Sequence, residues 1–119
     1  MTREEKQLLL VDLSARFPYN VAVDCRDEVS RFTCYLTSDM LREIQNNNCN
    51  WEYKTYLFPL SSMTKEQGKI YHELIGGMFG TSALINFEVL EDFFHKNHLD
   101  YRGLIPMGLA IDATGLNIY

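Results

Sequence analysis

Two histidines towards the end of the chain have the spacing that most resembles a metal site. His95 and His98 are three residues apart, and Asp92 precedes His95 by three. On a helix such positions are neighbours, and zinc sites use similar spacings. The segment lacks the glutamate of the H-E-x-x-H motif, and no cysteine pair accompanies it. An exposed polar turn at the negative end of a helix is the stronger interpretation. We therefore predict no metal and no cofactor.

A glycine-rich segment, Gly76–Gly80, is the second candidate, because it leads into a predicted helix whose first N–H groups can bind an anion. No lysine follows the glycines, so the segment does not match the P-loop pattern. A helix rather than a strand comes before it, which excludes the dinucleotide-binding fingerprint. We interpret the segment as a connection between two helices.

The three cysteines, Cys25, Cys34 and Cys49, form no C-x-x-C pair and are odd in number. Reduced thiols fit this pattern better than a secreted disulfide framework. A catalytic thiol needs a histidine partner that no motif supplies, so Cys25 and Cys34 are predicted to fill the core as small apolar residues. The apolar run Leu8–Val11 is far shorter than a signal peptide or a membrane span. We expect a cytoplasmic protein without membrane association.

The net charge of −5 disfavours nucleic acid as a partner. Eleven basic residues are scattered among sixteen acidic ones, whereas phosphate binding needs clustered lysine and arginine. Such binding would require a shared surface for six residues: Arg3, Lys6, Arg16, Arg26, Arg31 and Arg42.

Two capping boxes, Thr2-x-x-Glu5 and Thr64-x-x-Gln67, predict the starts of two helices. Apolar residues at helical spacing follow each box, and Pro18 ends the first helix. A left-handed glycine is expected to end the second. The predicted helices are Arg3–Arg16, Lys65–Ile75 (ended by Gly76 or Gly77) and a third from Thr81 or Ser82 to about Asn97.

Segments rich in β-branched and aromatic residues predict the strands. The segment Thr37–Ile44 fits either one short helical turn or a third strand, and its strand-rich context favours the strand. A helical turn is expected at Arg102–Ile105. The predicted strands are Val21–Cys25, Phe32–Thr37, Trp51–Phe58 and a short one at Leu109–Ile111.

This order of elements predicts an α+β fold. A small antiparallel sheet of three to four strands is expected, with about three helices: the N-terminal helix first and two helices after the sheet. The length of 119 residues is typical of one domain, so residues 1–119 are predicted to form a single domain.

The predicted strand Trp51–Phe58 carries aromatic residues on both faces. Alternation places Trp51 and Tyr53 on one face and Tyr56 and Phe58 on the other. Either the strand lies centrally in the sheet, or a partner covers one of its faces. Tyr56 and Phe58 are therefore candidate binding residues, and a homodimer is one arrangement that would cover them.

Three stretches, EEKQLLLVDLSARFPYNV (4–21), YLFPLSSMT (56–64) and DYRGLI (100–105), resemble small proteins of gut Bacteroides-type bacteria and of their prophages and mobile elements. At Asn20 and Phe58 the chain departs from that family, which has glycine and a basic residue there. The family has no assigned activity, so the resemblance implies no catalytic residue. It implies a cytoplasmic setting of phage or mobile-element type.

The resemblance also draws attention to Asp100, Tyr101 and Arg102, a polar and aromatic cluster after the third helix. An Asp100–Arg102 pair, a helix cap by Arg102, or anchoring of the tail by Tyr101 are the structural interpretations, and ligand binding is the functional one. The leading hypothesis is a non-enzymatic accessory or protein-interaction domain. The alternatives are a small ligand-binding or enzymatic domain with a pocket near the third helix, and a phage-type nucleic-acid-associated protein.

Overall fold

The computed structural model describes residues 2–46, 51–78 and 83–119, and confirms the α+β class. Within these ranges there are four α-helices and five strands. Their bounds are α1 Arg3–Arg16, β1 Ala22–Arg26, β2 Arg31–Tyr35, α2 Ser38–Asn46, β3 Glu52–Pro59, α3 Lys65–Met78, α4 Ala83–Lys96, β4 Leu99–Asp100 and β5 Ala110–Asp112.

Both predicted capping boxes are present. The Glu5 backbone N–H donates to Thr2 Oγ1 at 3.1 Å, and the Thr2 N–H donates to Glu5 Oε1 at 2.8 Å. These hydrogen bonds lower the pKa of Glu5. Thr64 and Gln67 exchange the same two bonds, at 2.9 and 3.1 Å, before α3. Orphan N–H groups at both helix starts are thus satisfied by local side chains.

The sheet is mixed, with β3 at its centre. Strand β1 is antiparallel to both β2 and β3, in agreement with the predicted antiparallel pairing. Its position between them was not predicted. Two further strands, β4 and β5, are parallel to β3. They are two and three residues long, too short for an alternating pattern to reveal their pairing. The central position of β3 explains the aromatic residues on both of its faces.

The prediction of a strand at Thr37–Ile44 is wrong, because α2 occupies this segment. Thr37 begins the helix: its Oγ1 accepts from the Met40 N–H, and its carbonyl oxygen accepts from the Leu41 N–H, both at 3.3 Å. Ile44 is buried, and Met40 and Leu41 pack against the same core. Spacings of one, three and four residues suit one face of a helix, so this apolar pattern outweighs the neighbouring strands.

The second predicted helix end is also wrong, since α3 runs through Gly76 and Gly77 to Met78. Glycine costs about 1 kcal/mol in a helix but does not forbid it. The predicted turn at Arg102–Ile105 occurs slightly later, at residues 104–108. The anion-binding hypothesis for the glycine-rich segment depends on residues 79–82, and Cys49 belongs to residues 47–50. Both lie outside the described residues.

One face of the sheet packs against α1 and α2. Cys25 is fully buried on this face and Cys34 is half-buried, in agreement with their predicted role. The buried apolar residues of this core are Leu9, Leu13, Val21, Val23, Leu36, Ile44, Tyr53, Leu57, Leu104, Leu109 and Ala110. A second cluster joins α4 to β4 through Leu90, Phe93, Phe94 and Leu99.

The other face is covered only in part. Towards the end of β3 the tail lies over it, where Ala22, Tyr56 and Ala113 are buried together with Ile111 and Ile118 around them. Towards the β1–β2 hairpin, the described residues leave this face open to solvent: β2 has an almost wholly exposed burial pattern. A polar surface therefore lies beside a covered apolar one on the same sheet.

Candidate interaction surface

The predicted Asp100–Arg102 pair does not form. Asp100 is buried, and its two carboxylate oxygens accept from the Leu104 and Ile105 N–H groups, each at 2.9 Å. Arg102 instead donates from Nε to Asp12 Oδ1 at 3.1 Å, across 90 residues of sequence. Asp100 thus holds the turn that follows it, and Arg102 fastens the tail to α1.

Arg102 binds a buried ion pair formed by Asp12 and Arg16. Asp12 and Arg16 are both 0% exposed, and Arg16 Nε donates to Asp12 Oδ2 at 2.8 Å. Arg16 Nη2 donates to the carbonyl oxygen of Leu99 at 2.6 Å. Arg16 Nη1 has no hydrogen-bond partner within the described residues. We call Asp12, Arg16 and Arg102 the Asp12 cluster; it places two guanidinium groups on one carboxylate.

Tyr101 packs beside this cluster. Its ring stacks on Phe94, with centroids 4.8 Å apart, and the guanidinium carbons of Arg102 and Arg16 lie 4.9 and 5.6 Å from its centroid. Its hydroxyl shares a hydrogen bond of 2.9 Å with His95 Nε2. Burial raises the pKa of Tyr101, and the Arg102 charge opposes that rise. These contacts anchor the tail, one of the roles expected from the sequence.

The two histidines serve different contacts, and neither matches the expected exposed turn. His95 is buried against Tyr101, whereas His98 has a left-handed backbone (φ 56°) and stacks on Tyr119 with ring centroids 3.7 Å apart. Asp92 accepts a hydrogen bond from the Tyr19 hydroxyl. Across the described part of the chain, no group of three or more histidine, cysteine, aspartate or glutamate residues is placed to hold a metal ion.

The buried setting of His98 predicts a loss of stability in acid. Burial, with a smaller effect of the Arg16 charge, lowers the pKa of His98 to about 4 from its usual 6.5. The unfolded chain therefore takes up a proton on this residue below about pH 6.5, before the folded chain does. Stability is present in full above that pH and declines towards pH 4. We expect a loss of about 1–2 kcal/mol, discounted for partial exposure.

Urea unfolding of the wild type and His98→Asn at pH 7.5 and pH 4.5 measures this effect. Asparagine accepts the left-handed backbone and does not titrate. We expect the variant to lose less stability than the wild type between the two pH values. His72→Asn, at an exposed position of α3, serves as the matched control and is expected to behave as the wild type. Equal losses in all three proteins would contradict the role of His98.

Tyr56 and Phe58 have different surroundings. Tyr56 is buried; its hydroxyl lies 3.2 Å from Thr33 Oγ1 and donates to Asp24 Oδ1 at 3.5 Å. Phe58 is half-buried, and its ring centroid is 5.8 Å from that of Tyr119. Phe58 also pairs with Leu99 across the sheet and packs, like Tyr101, against the apolar cluster of α4 and β4. Of the five residues singled out in the sequence, the structure therefore brings Phe58 close to Asp100 and Tyr101, whereas Tyr56 faces the hairpin. Tyr56 borders a polar group that the sequence reasoning missed.

That group lies on the open face of the β1–β2 hairpin. Asp24 is 2% exposed, and its Oδ1 accepts from Arg31 Nε at 2.8 Å. Arg26 Nη2 lies 3.8 Å from Asp24 Oδ2. The side chains of Arg26 and Arg31 are 45% and 56% exposed. The Asp24 hydrogen bond, followed by its charge, raises the pKa of Arg31. We call Asp24, Arg26, Arg31, Thr33 and Tyr35 the open face.

The backbone of β2 adds hydrogen-bonding groups to this surface. The Leu36 N–H donates to the Val21 carbonyl and the Asp27 N–H donates to the Ser30 carbonyl, both at 2.9 Å. These two bonds show which residue pairs of β1 and β2 are hydrogen-bonded. Antiparallel pairs alternate, so Phe32 and Cys34 bond to β1. The N–H and C=O groups of the intervening Arg31, Thr33 and Tyr35 therefore point away from β1. Of the strands in the described ranges, only β1 pairs with β2.

Comparison with known proteins gives no family for this arrangement: no protein-family model, no curated protein and no solved structure matches the chain. The resemblance to proteins of mobile elements therefore stays a prediction. In the parts of the chain that the structure describes, the helices are too short or too polar to cross a membrane.

Proposed function

We propose that this chain is a non-enzymatic protein-interaction domain whose edge strand β2 accepts an extended segment of a partner protein. The observation that carries the proposal is the outward-pointing backbone of Arg31, Thr33 and Tyr35. An edge strand with such groups is a template for pairing with another chain. Two exposed aromatic side chains on β2, Phe32 at 46% and Tyr35 at 58%, add apolar area for a partner to bury.

The other candidate polar side chains are already bonded within the fold, which supports the β2 edge as the binding site. Asp100 binds two backbone N–H groups, Arg102 binds Asp12, and His95 contacts Tyr101. Arg16 is fully buried, so the six basic residues required for nucleic-acid binding do not share a surface. The open face and the β2 edge combine exposure, charge and available backbone groups.

The partner of β2 could be a second copy of the same chain, and the oligomeric state tests this case. Two β2 strands paired antiparallel about Thr33 would place Arg31 of one copy opposite Tyr35 of the other. That pair is favourable, because a guanidinium is attracted to an aromatic face. Light scattering on a size-exclusion column then shows a dimer, and Thr33→Pro returns it to a monomer.

Thr33→Pro is the variant that tests edge pairing. The Thr33 N–H points away from β1, so proline removes an outward donor and leaves the β1–β2 ladder intact. We expect binding to weaken by about tenfold or more, since a lost hydrogen bond and a steric clash together exceed 1.4 kcal/mol. Thr33→Ala keeps the N–H and serves as the matched control. Both are screened against an array of random peptides of about ten residues.

The result that supports the proposal is a set of peptides bound by wild type and Thr33→Ala and lost by Thr33→Pro. Amide hydrogen exchange gives a second readout that needs no variant. The N–H groups of Arg31, Thr33 and Tyr35 should exchange fast in the isolated chain and slowly with a bound peptide. Peptides that bind Thr33→Pro as well as the wild type would overturn the proposal, as would a monomer that binds no peptide.

A further inference from the structure

We infer that the partner segment is an alternating strand, acidic where it faces Arg31 and apolar where it faces Phe32 and Cys34. The inference rests on the proposed function and names the chemistry of the partner at the same site. Three features of the hairpin carry it: the ratio of arginines to carboxylates, the position of the two arginines, and the alternation of side chains along β2.

The open face has fewer acceptors than donors. Arg26 and Arg31 share the single carboxylate of Asp24. A guanidinium has five N–H donors, more than Asp24 and the neighbouring Tyr56 hydroxyl can accept from Arg31. Arg31 uses Nε for Asp24, and its half-exposed end can reach a second carboxylate in the two-bond geometry that arginine favours.

The register places like charges opposite one another. Arg26 pairs directly with Arg31 across the hairpin, an arrangement that destabilises a sheet. Asp24 offsets only part of this repulsion. A partner aspartate or glutamate beside Arg31 would offset the rest, so an acidic segment gains energy that a neutral one does not.

The distribution of charge over the chain restricts where an acidic segment can bind. Among the strand residues on the face of Arg31, three cations lie beside two carboxylates: Arg26, Arg31 and Lys54 beside Asp24 and Glu52. The turn of the hairpin adds two further carboxylates, Asp27 and Glu28. The chain as a whole has a charge of −5. An acidic segment is repelled by the molecule on average, so its attraction is confined to the strand face beside Arg31 and does not extend to the turn.

The face of β2 opposite the open face determines where the partner strand is expected to be apolar. Phe32 and Cys34 alternate with the residues of the open face, so they lie on the side covered by α1 and α2. Phe32 contacts Trp51 edge to face, with centroids 5.2 Å apart, and is 46% exposed. A partner strand paired to β2 therefore meets apolar groups at every second residue and the arginine on the alternate side.

A set of three peptides tests the inference. Each has about nine residues of alternating valine and threonine, a length that covers an edge strand, and the central threonine is replaced by glutamate, glutamine or lysine. Binding to the full chain is followed by fluorescence anisotropy up to about 1 mM peptide, because a short strand binds weakly. We expect the glutamate peptide to bind about five- to tenfold more tightly than the glutamine peptide, and the lysine peptide to bind least.

Arg31→Gln should remove the preference for glutamate, so that the glutamate and glutamine peptides bind this variant within about twofold of each other. Arg42→Gln, at an exposed arginine of α2, is the matched control and should keep the preference. Raising the salt concentration should reduce the preference for glutamate, because the contact is half-exposed.

The outcomes separate this inference from the proposed function. Equal binding of the three peptides, all lost in Thr33→Pro, would overturn the acidic preference and leave edge pairing in place. A preference that persists in Arg31→Gln would also overturn it. If the chain is a monomer, failure of all three peptides and of the random array to bind would overturn the proposed function, and this inference with it; a dimer that Thr33→Pro dissociates would overturn this inference alone.

Discussion

Asp12→Asn is expected to lower the free energy of unfolding by about 3–5 kcal/mol, the largest effect of any single change considered for this chain. The variant keeps the volume of the side chain and removes only its charge. Arg16 would then be a fully buried cation whose remaining bond goes to the Leu99 carbonyl, with the Arg102 guanidinium close by. Arg16 Nη1 already lacks a partner within the described residues, so nothing there replaces the lost charge.

Urea denaturation of Asp12→Asn and of Asp39→Asn provides the comparison. Asp39 pairs with Arg42 on the surface, with both side chains more than two-thirds exposed, and its substitution should change stability by at most about 0.5 kcal/mol. A double variant, Asp12→Leu with Arg16→Met, should recover much of the loss because it removes both buried charges. A loss for Asp12→Asn no larger than that for Asp39→Asn would contradict the role of the Asp12 cluster.

The parts of the fold that the sequence predicts well depend on neighbouring residues. Thr2 and Glu5 are three apart, and their reciprocal bonds need only the local backbone. Asn20 is left-handed at φ 55°, a conformation that asparagine adopts more readily than most residues. The hairpin follows from alternation in two adjacent segments. In each case the interaction that decides the structure spans a few residues.

The parts that the sequence misses depend on distant ones. Asp12 and Arg102 meet across 90 positions, and no local pattern shows that the tail returns to α1. The sequence suggested Asp100 or a helix end as the contact of Arg102, and only the three-dimensional fold shows that it binds Asp12. The parallel strands β4 and β5 are placed by packing after α4 and after the turn at residues 104–108.

The open face was within reach of sequence reasoning. The turn between β1 and β2 is closed by the Asp27 N–H and the Ser30 carbonyl, and this register places Asp24, Arg26 and Arg31 on one face. The predicted strands Val21–Cys25 and Phe32–Thr37 stop one residue short of Arg26 and Arg31, and extending each by one residue would have placed two arginines around one aspartate. The strand with the most aromatic residues drew attention instead, and it proves to be the covered centre of the sheet.

Tyr119 lies where β1 and β3 separate. Its hydroxyl binds two backbone groups, one on each side, that would otherwise bond to each other across the sheet. The last paired residues are Val23 and Thr55, so the next pair would be Ala22 and Tyr56. The Ala22 N–H donates to the Tyr119 hydroxyl, which donates to the Tyr56 carbonyl oxygen, both at 2.8 Å. The Tyr119 residue is 41% exposed, but its hydroxyl lies between these two backbone groups, and burial raises its pKa to about 12. The hydroxyl is protonated and able to donate at neutral pH.

Tyr119→Phe should therefore destabilise the fold by about 2–3 kcal/mol, because one oxygen atom satisfies two buried backbone groups and phenylalanine satisfies neither. The ring contact with His98 is kept, which separates the loss of the hydroxyl from the loss of packing. Tyr35→Phe removes a hydroxyl at a position 58% exposed and should change stability by less than about 0.5 kcal/mol.

Hydrogen exchange locates the effect: the Ala22 amide should exchange faster in Tyr119→Phe, while the Leu36 amide, which bonds to Val21, should change least. Equal stabilities of the two variants would show that water replaces the hydroxyl and that the two strands separate at this point without it.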